Sequence, residues 1–375
     1  MQELYDFLVP VAKAQLNDDE GYADGQLGRH IAVYEGELPN IDDADIIFVG
    51  INEARGHNGI GSTSTAANVI RKHVYQLYYW HTDVTIADLG DIKVGEHLKD
   101  SYAAIEVVVA ALLEKQKTVV LLGGSHDCTL PQYGAYRKLK QLTEVTCVDA
   151  LIDLNVENRY PDRKFLMELL TGEPNFVSHY NHLAFQSYAV HPRMLETLDK
   201  LRFDFHRLGR VSEEIDEMEP VLRNTNMLSI DMNAIKHADA PANRHFPNGL
   251  TGMEACSLTR FAGMSSTLSS IGFYGYEPQN DRDELTAIQI SQMIWYFIDG
   301  KSRSKLEANL AERDHFNEFH TVFAEVDTVF LQSKKTGRWW MQLPGKKFIA
   351  CSNSDYVQAS QNEIPERWLR VQERG

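Results

Sequence analysis

The feature that most constrains the fold is a set of short, wholly apolar runs, each followed by a stretch with helical periodicity. Residues 46–50 (IIFVG) and 118–124 (TVVLLGG) are apolar throughout, and both close on glycine. A strand apolar on both faces needs cover on both faces, so these runs predict strands inside a sheet with helices above and below. Further strands are predicted at 86–92, 145–153, 182–190, 226–231 and 269–277. Helices are predicted between them, near 66–79, 100–116, 130–142, 192–202, 210–223, 253–268 and 284–299. Such alternation predicts a three-layer α/β/α domain with a mostly parallel sheet, which binds ligands beyond the carboxyl ends of its strands. Polar residues gather at those ends: Gly123 to Asp127, Asp149 to Asp153, Asp231 to Asn233, and Glu277.

The pattern divides the chain into a helical lead-in (1–45), the α/β domain (46–300) and a C-terminal extension (301–375). In the extension a charged stretch, helical or loop, precedes a β-hairpin turning at Lys335-Thr336-Gly337. Its Trp339 and Trp340 either anchor an interface, whose centres aromatics dominate, or pack onto their own domain. The formal charge of −16, from 53 acidic and 37 basic residues, excludes a general affinity for nucleic acid or anionic membrane. Only short basic groups occur, such as Lys334, Lys335 and Arg338. No apolar run reaches the ~18 residues of a membrane span. The start of the chain has acids at Glu3 and Asp6 and lacks the basic and apolar regions of a secretory signal. Cys128, Cys147, Cys256 and Cys351 are scattered and expected to be reduced thiols, so a cytoplasmic location is expected. The loop with Gly56, Gly59 and Gly61 has neither GxGxxG nor a P-loop lysine and reads as a turn.

A lone aspartate at a strand end is ordinarily a cap, and a lone histidine is ordinarily a hydrogen-bonded core or surface residue. Two aspartates in an apolar strand are different, because burying unpaired charge costs several kcal/mol. Alternation places Asp149, Leu151 and Asp153 on one face of their strand, and Asp231 and Asn233 on one face of another. With His126 they make a carboxylate–imidazole set suited to Mn²⁺ or a similar ion, and something positive must lie near Asp149 and Asp153.

The motifs GGSHD (123–127), DALID (149–153) and SIDMNAIKHADAP (229–241) resemble, in order, the GGDHS, DAHxD and SxDxDxxDPxxAP motifs of the ureohydrolases. That family includes arginase, agmatinase and formimidoylglutamase. IADLGD, NGLTGMEA (248–255) and GYEPQND (275–281) resemble further family segments, and the likeness runs from about Ile46 to Gly300. The resemblance implies two Mn²⁺ ions activating the water that attacks an amidine carbon. Carried over by position, one ion's ligands are His126, Asp149, Asp153 and Asp231, all present. The second ion's private ligands fall at Leu151 and Asn233, so the resemblance implies one Mn²⁺ ion at most, or none. Lys236 stands in the family's DP position and either supplies charge where the second ion was or simply faces solvent. Glu277 matches the guanidinium-facing acid and, with Asp127 and the other aspartates, predicts an acidic pocket for a small cationic amidine or guanidine. His179 and His182 are secondary candidates for a proton carrier.

Three readings follow. The first is a weak or single-metal hydrolase of C–N bonds in linear amidines or guanidines such as formiminoglutamate, agmatine or arginine. The second is a catalytically inactive protein of the same fold, serving as a binding or assembly module. A mononuclear deacetylase is the third, but Leu151 breaks the Asp-x-His pair it resembles. The family resemblance also implies a homo-oligomer.

Overall fold

The computed structural model describes residues 2–17, 21–57 and 64–374. Gly59 and Gly61 of the glycine-rich turn lie outside them. Ten strands form one sheet: β1 (Leu8–Val9), β2 (Ala32–Val33), β3 (Ile46–Ile51), β4 (Ile86–Ile92), β5 (Thr118–Leu122), β6 (Thr143–Val148), β7 (Val177–Phe185), β8 (Asp204–Arg207), β9 (Met227–Asp231) and β10 (Ser270–Tyr274). The order is β1-β4-β3-β5-β10-β9-β6-β7-β8, with β2 beside β4, and every pairing is parallel except β1 with β4. The predicted helical lead-in is instead a series of short turns, one short helix (Leu27–His30) and two strands that extend the sheet.

The central strands are apolar on both faces because two cores flank the sheet. Phe48, Val120 and Leu122 enter one core, with the helices Ala66–Gln76, Gly252–Gly263 and Leu285–Ser304. Their neighbours Val49, Val119 and Leu121 enter the other, with Leu98–Glu114, Thr129–Lys138 and Phe165–Thr171. This is the three-layer architecture expected of period-two alternation between two helical layers. Among the described residues no helix is long and apolar enough to cross a membrane.

Two of the motifs turn out to hold the fold. In IADLGD, Asp88 accepts from Arg71 Nε at 2.8 Å, Arg71 Nη2 at 3.0 Å and the Tyr75 hydroxyl at 2.9 Å. Asp91 takes the remaining Arg71 nitrogen, Nη1, and also Asn52 Nδ2 at 2.8 Å. In NGLTGMEA, Thr251 and Glu254 cap the helix reciprocally: the Glu254 N–H donates to Thr251 Oγ1 at 3.2 Å and the Thr251 N–H to Glu254 Oε2 at 2.6 Å.

The extension is more than a hairpin. The helix Leu285–Ser304 runs past the expected boundary at Gly300, and an antiparallel sheet follows: β11 (Phe316–Phe323), β12 (Val326–Ser333), β13 (Trp339–Gln342) and β14 (Phe348–Cys351). The predicted turn lies between β12 and β13. Trp339 and Trp340 are both buried, so of the two alternatives they pack onto their own chain and do not anchor an interface. Trp339 stacks on Phe319 and Tyr356, while Trp340 lies under the Arg223 guanidinium, 4.5 Å from its ring centroid. Arg223 belongs to the α/β domain and donates to the Trp339 carbonyl at 2.6 Å, so the tryptophans face their own chain.

Arg71 and Asp88 are fully buried. Arg71→Ala leaves two interior carboxylates uncompensated, and the expected loss is about 3–5 kcal/mol in urea unfolding. A loss no greater than that of a surface substitution would show that the carboxylates do not depend on this guanidinium.

Candidate active site

Three strand ends converge on one point. β5 ends at Leu122 and turns through Gly123 and Gly124, both with positive φ, so that the next residues double back and place His126 under the sheet edge. A side chain at Gly124 would meet Ile51 Cγ2 at 2.8 Å, so both conformation and space demand glycine. β6 ends at Val148, earlier than predicted. Asp149, Leu151 and Asp153 therefore sit on an irregular loop rather than on one face of a strand. β9 ends on Asp231, and Asn233 follows in a single 3₁₀ turn. Gly275, also at positive φ, leaves room for Asp231, since a Cβ there would lie 2.5 Å from Asp231 Oδ1.

The result is a buried imidazole facing three buried carboxylates. His126 Nδ1 lies 3.3 Å from Asp149 Oδ2, 3.1 Å from Asp153 Oδ2 and 3.2 Å from Asp231 Oδ2. The partner oxygens of Asp149 and Asp231 accept the backbone N–H groups of Leu151 and Asn233, at 3.2 and 2.8 Å, which aims each Oδ2 at the histidine. His126 Nε2 lies 3.1 Å from Ser229 Oγ, itself 2.5 Å from Thr129 Oγ1. Burial, with mutual repulsion at Asp149 and Asp231, pushes the three carboxyls above their ordinary range, against the pull of His126. Burial disfavours charge on His126 as well, but the carboxylates outweigh it and raise its pKa well above normal.

These residues fit a divalent cation. Asp149 Oδ2 is buried and receives no hydrogen bond, although Nδ1 is close. Ligand atoms of His126, Asp149 and Asp153 all lie within 4.8 Å of one another. Adjacent ligands of a small octahedral ion at a metal–ligand distance near 2.1 Å stand about 3.0 Å apart, close to the separations around Nδ1. Nε2 lies against Ser229 Oγ, so Nδ1 is the ring nitrogen that faces the carboxylates and would bind a metal on losing its proton. The second ion's expected ligand positions offer little: Leu151 has no donor, and Asn233 contributes at most an amide oxygen on the cavity wall.

Above this cluster opens a cavity of about 460 Å³ bounded by His57, Tyr160, Arg163, Asn233, Arg244 and Glu277 among others. Its charges differ from the acidic pocket that the sequence implies. His57 is held between Asp162 (Nδ1 to Oδ2, 2.5 Å) and Glu277 (Nε2 to Oε1, 3.0 Å). Burial opposes its charge, but the two carboxylates prevail and raise it to about 10. Glu277 also accepts from the Asn280 amide. Arg163, on the loop after Asp153, directs its positive field at Asp153, Asp162, Asp231 and Asp149. Arg163 is thus the cation expected of Lys236, whose Nζ instead pairs with Asp239 at 3.3 Å. Asp127 is not on the cavity wall. Fully buried, it accepts from the Tyr102 hydroxyl, a correction to its expected pocket role. His182 is buried in β7, its Nε2 3.1 Å from the Asp149 carbonyl, and burial lowers it to about 4. His179 pairs with Asp204 at 3.2 Å, near the amino end of the same strand.

The sequence motifs gave no sign of His57, Asp162 or Arg163. The family model named Arginase family matches residues 44–299. The chain belongs to the arginase family. Solved structures that share the fold include three ureohydrolases. Formimidoylglutamase from Bacillus subtilis has a TM-score of 0.67 at 19% identity, covering 80% of this chain and 98% of that one. Trypanosoma cruzi formiminoglutamase with Mn2+2 has a TM-score of 0.64 at 18% identity, covering 71% and 96%. Agmatine ureohydrolase of Thermoplasma volcanium has a TM-score of 0.61 at 20% identity, covering 76% and 98%. No curated protein matches by sequence. The arginase-family match ends before β11, so the C-terminal sheet is an addition to the family domain.

His57 gains its proton affinity from folding, so the stability it contributes is fully present below its unfolded pKa of about 6.5 and fades as pH rises through about 10. The gap in unfolding free energy between the wild type and His57→Gln should therefore narrow between pH 7 and 10. NMR titration should show the wild-type ring protonated at pH 8; an ordinary midpoint near 6.5 would refute the clamp.

Proposed function

We propose that this arginase-family chain is a hydrolase of C–N bonds in linear amidines or guanidines that works with a single divalent ion, Mn²⁺ being the first candidate. The observation that carries the reading is the buried, unpartnered Oδ2 of Asp149 beside His126 Nδ1. An interior carboxylate oxygen without a donor is costly, and a cation is the partner that this donor set accommodates. His126, Asp149, Asp153 and Asp231 would hold the ion. A divalent ion there supplies Lewis acidity that makes water nucleophilic near neutral pH.

The chain's own groups account for the rest. Arg163 offsets the excess of carboxylate charge that a second ion offsets in a two-ion site. His57, charged and on the cavity wall, is the acid placed to protonate a departing amine, with Asp162 and Glu277 fixing its ring. One ion lacks the two-sided clamp of a pair, so slower turnover than in a two-ion enzyme is expected.

A specific observation favours a second reading, an inactive binding protein of the same fold. Both Glu277 oxygens are engaged, by His57 and Asn280, so an amidinium reaching Glu277 must first displace one of them.

Purified protein should hold close to one equivalent of Mn²⁺ or Zn²⁺ by elemental analysis, and Asp153→Asn should lose it. With metal bound, urea should be released from agmatine or arginine, or formamide from formiminoglutamate. Metal-free protein that ignores added Mn²⁺ and stays silent with all three would overturn the hydrolase and leave the binding protein. Leu151→His with Asn233→Asp should raise the metal content to two ions, and failure would refute the positional match of those residues.

A further inference from the structure

The cavity above His126 and the aspartates is bordered by a closed run of polar contacts that starts and ends at His57. On one side Glu277 Oε1 takes His57 Nε2 at 3.0 Å, and the other Glu277 oxygen accepts the Asn280 amide. Asn280 Oδ1 in turn accepts Arg244 Nη1 at 3.1 Å. On the other side Asp162 Oδ2 holds His57 Nδ1 at 2.5 Å and lies 3.7 Å from Arg163 Nε. Arg163 Nη2 reaches His245 Nε2 at 3.3 Å, and His245 adjoins Arg244 in the chain, which closes the ring. All of these residues line the cavity.

Around this rim the acids are engaged and one cation is not. Neither oxygen of Glu277 is open, and the unpartnered oxygen of Asp162 is buried. The remaining acid of the wall, Asp231, belongs to the cluster below. Among the cations, His57 is held by two carboxylates and Arg163 by Asp162. Arg244, exposed at the edge, makes no ion pair among the described residues and donates only to Asn280, so most of its guanidinium is open. Burial and Arg163 lower the neighbouring His245, which adds no charge at neutral pH. The loop is also built in place. The side chain of Asn243, itself buried, donates to the carbonyls of Asn233 and Ile235 at 3.2 and 2.7 Å and accepts the His245 N–H at 3.0 Å. Arg244 is thereby tied to the turn that carries Asn233.

We propose that Arg244 determines specificity at this site, and that the ligand bears a carboxylate at the end remote from its amidine or guanidine carbon. The proposal rests on the reading of the cluster below as the place where that carbon is held. A carboxylate at the rim would take paired, charge-assisted hydrogen bonds from the planar guanidinium. An ammonium there would meet positive groups and no open acid, which selects against a ligand such as agmatine.

Agmatine and 4-guanidinobutyrate are both linear guanidines and differ mainly in the charge of the distal end. The test is calorimetric titration of the full chain with each, in the presence of Mn²⁺, together with urea release from each. The wild type should bind 4-guanidinobutyrate at least about tenfold more tightly than agmatine. Arg244→Gln should remove that preference and Arg244→Glu should reverse it. Because Arg244 is exposed and makes one hydrogen bond, the thermal midpoint should hold in both variants. Equal binding of the two guanidines, tighter binding of agmatine, a preference that survives Arg244→Gln, or binding of neither overturns the proposal. Selective binding without urea release refutes the hydrolase and leaves the carboxylate preference standing. Urea released from agmatine, with no preference for the carboxylate, refutes the role of Arg244 and leaves the hydrolase.

Discussion

Three aspartates withdrawn from water around one imidazole are the constraint on which the rest of the site depends. The four residues come from three strand ends: Asp231 closes β9, Asp149 and Asp153 follow β6, and His126 follows the double glycine after β5. Carboxylates so placed repel one another and lose hydration, and nothing apolar can compensate them. The surroundings answer with His126 inside the cluster and Arg163 at its edge, while the amides of Leu151 and Asn233 hold the outer oxygens. That still leaves one oxygen of Asp149 without a donor. The cluster is therefore poised for a cation rather than closed as a hydrogen-bonded network.

Substituting a guanidinium for a metal ion changes what a site can do. Arg163 brings one delocalised positive charge that cannot be given up, and it neutralises without accepting a lone pair. It can balance carboxylates, but it cannot acidify a water molecule. Leu151 offers no donor and Asn233 only an amide oxygen, and Arg163 supplies positive charge beside the carboxylates. His57 extends the same logic outward, because Asp162 and Glu277 are neutralised by a shared imidazolium.

How much of this was legible in the sequence depended on periodicity. The apolar runs at Ile46 and Thr118 announced interior strands, because a two-faced apolar strand has few other uses, and the motifs placed His126 and the aspartates together. The strand predicted through Asp153 was too long, since DALID keeps apolar residues between its acids although the ladder stops at Val148. His57 and Arg163 sit in polar loops without periodicity, and their partners are distant in sequence: Glu277 lies 220 residues beyond His57. Trp339 and Trp340 left two alternatives open for a different reason. An aromatic pair on a strand looks the same whether solvent or Arg223 covers it, and Arg223 is 116 residues from Trp339.

Arg223 also shows how the extension bears on the site without touching it. It lies in the helix Met218–Asn224, where it is paired with Glu219, caps the Trp339 carbonyl and covers the Trp340 ring. That helix leads through Thr225 and Asn226 straight into β9, which ends on Asp231. Asn226 adds a lateral tie, its Oδ1 accepting the Glu144 N–H at 2.8 Å at the start of β6, the strand that leads to Asp149. The extension thus holds the helix that leads into β9, one of the two strands whose carboxyl ends carry the carboxylates. A parallel strand in a packed sheet transmits axial position more faithfully than a loop, because every residue is held by two neighbours. The C-terminal sheet is thereby joined to the domain at the end of the large sheet remote from His126 and the aspartates.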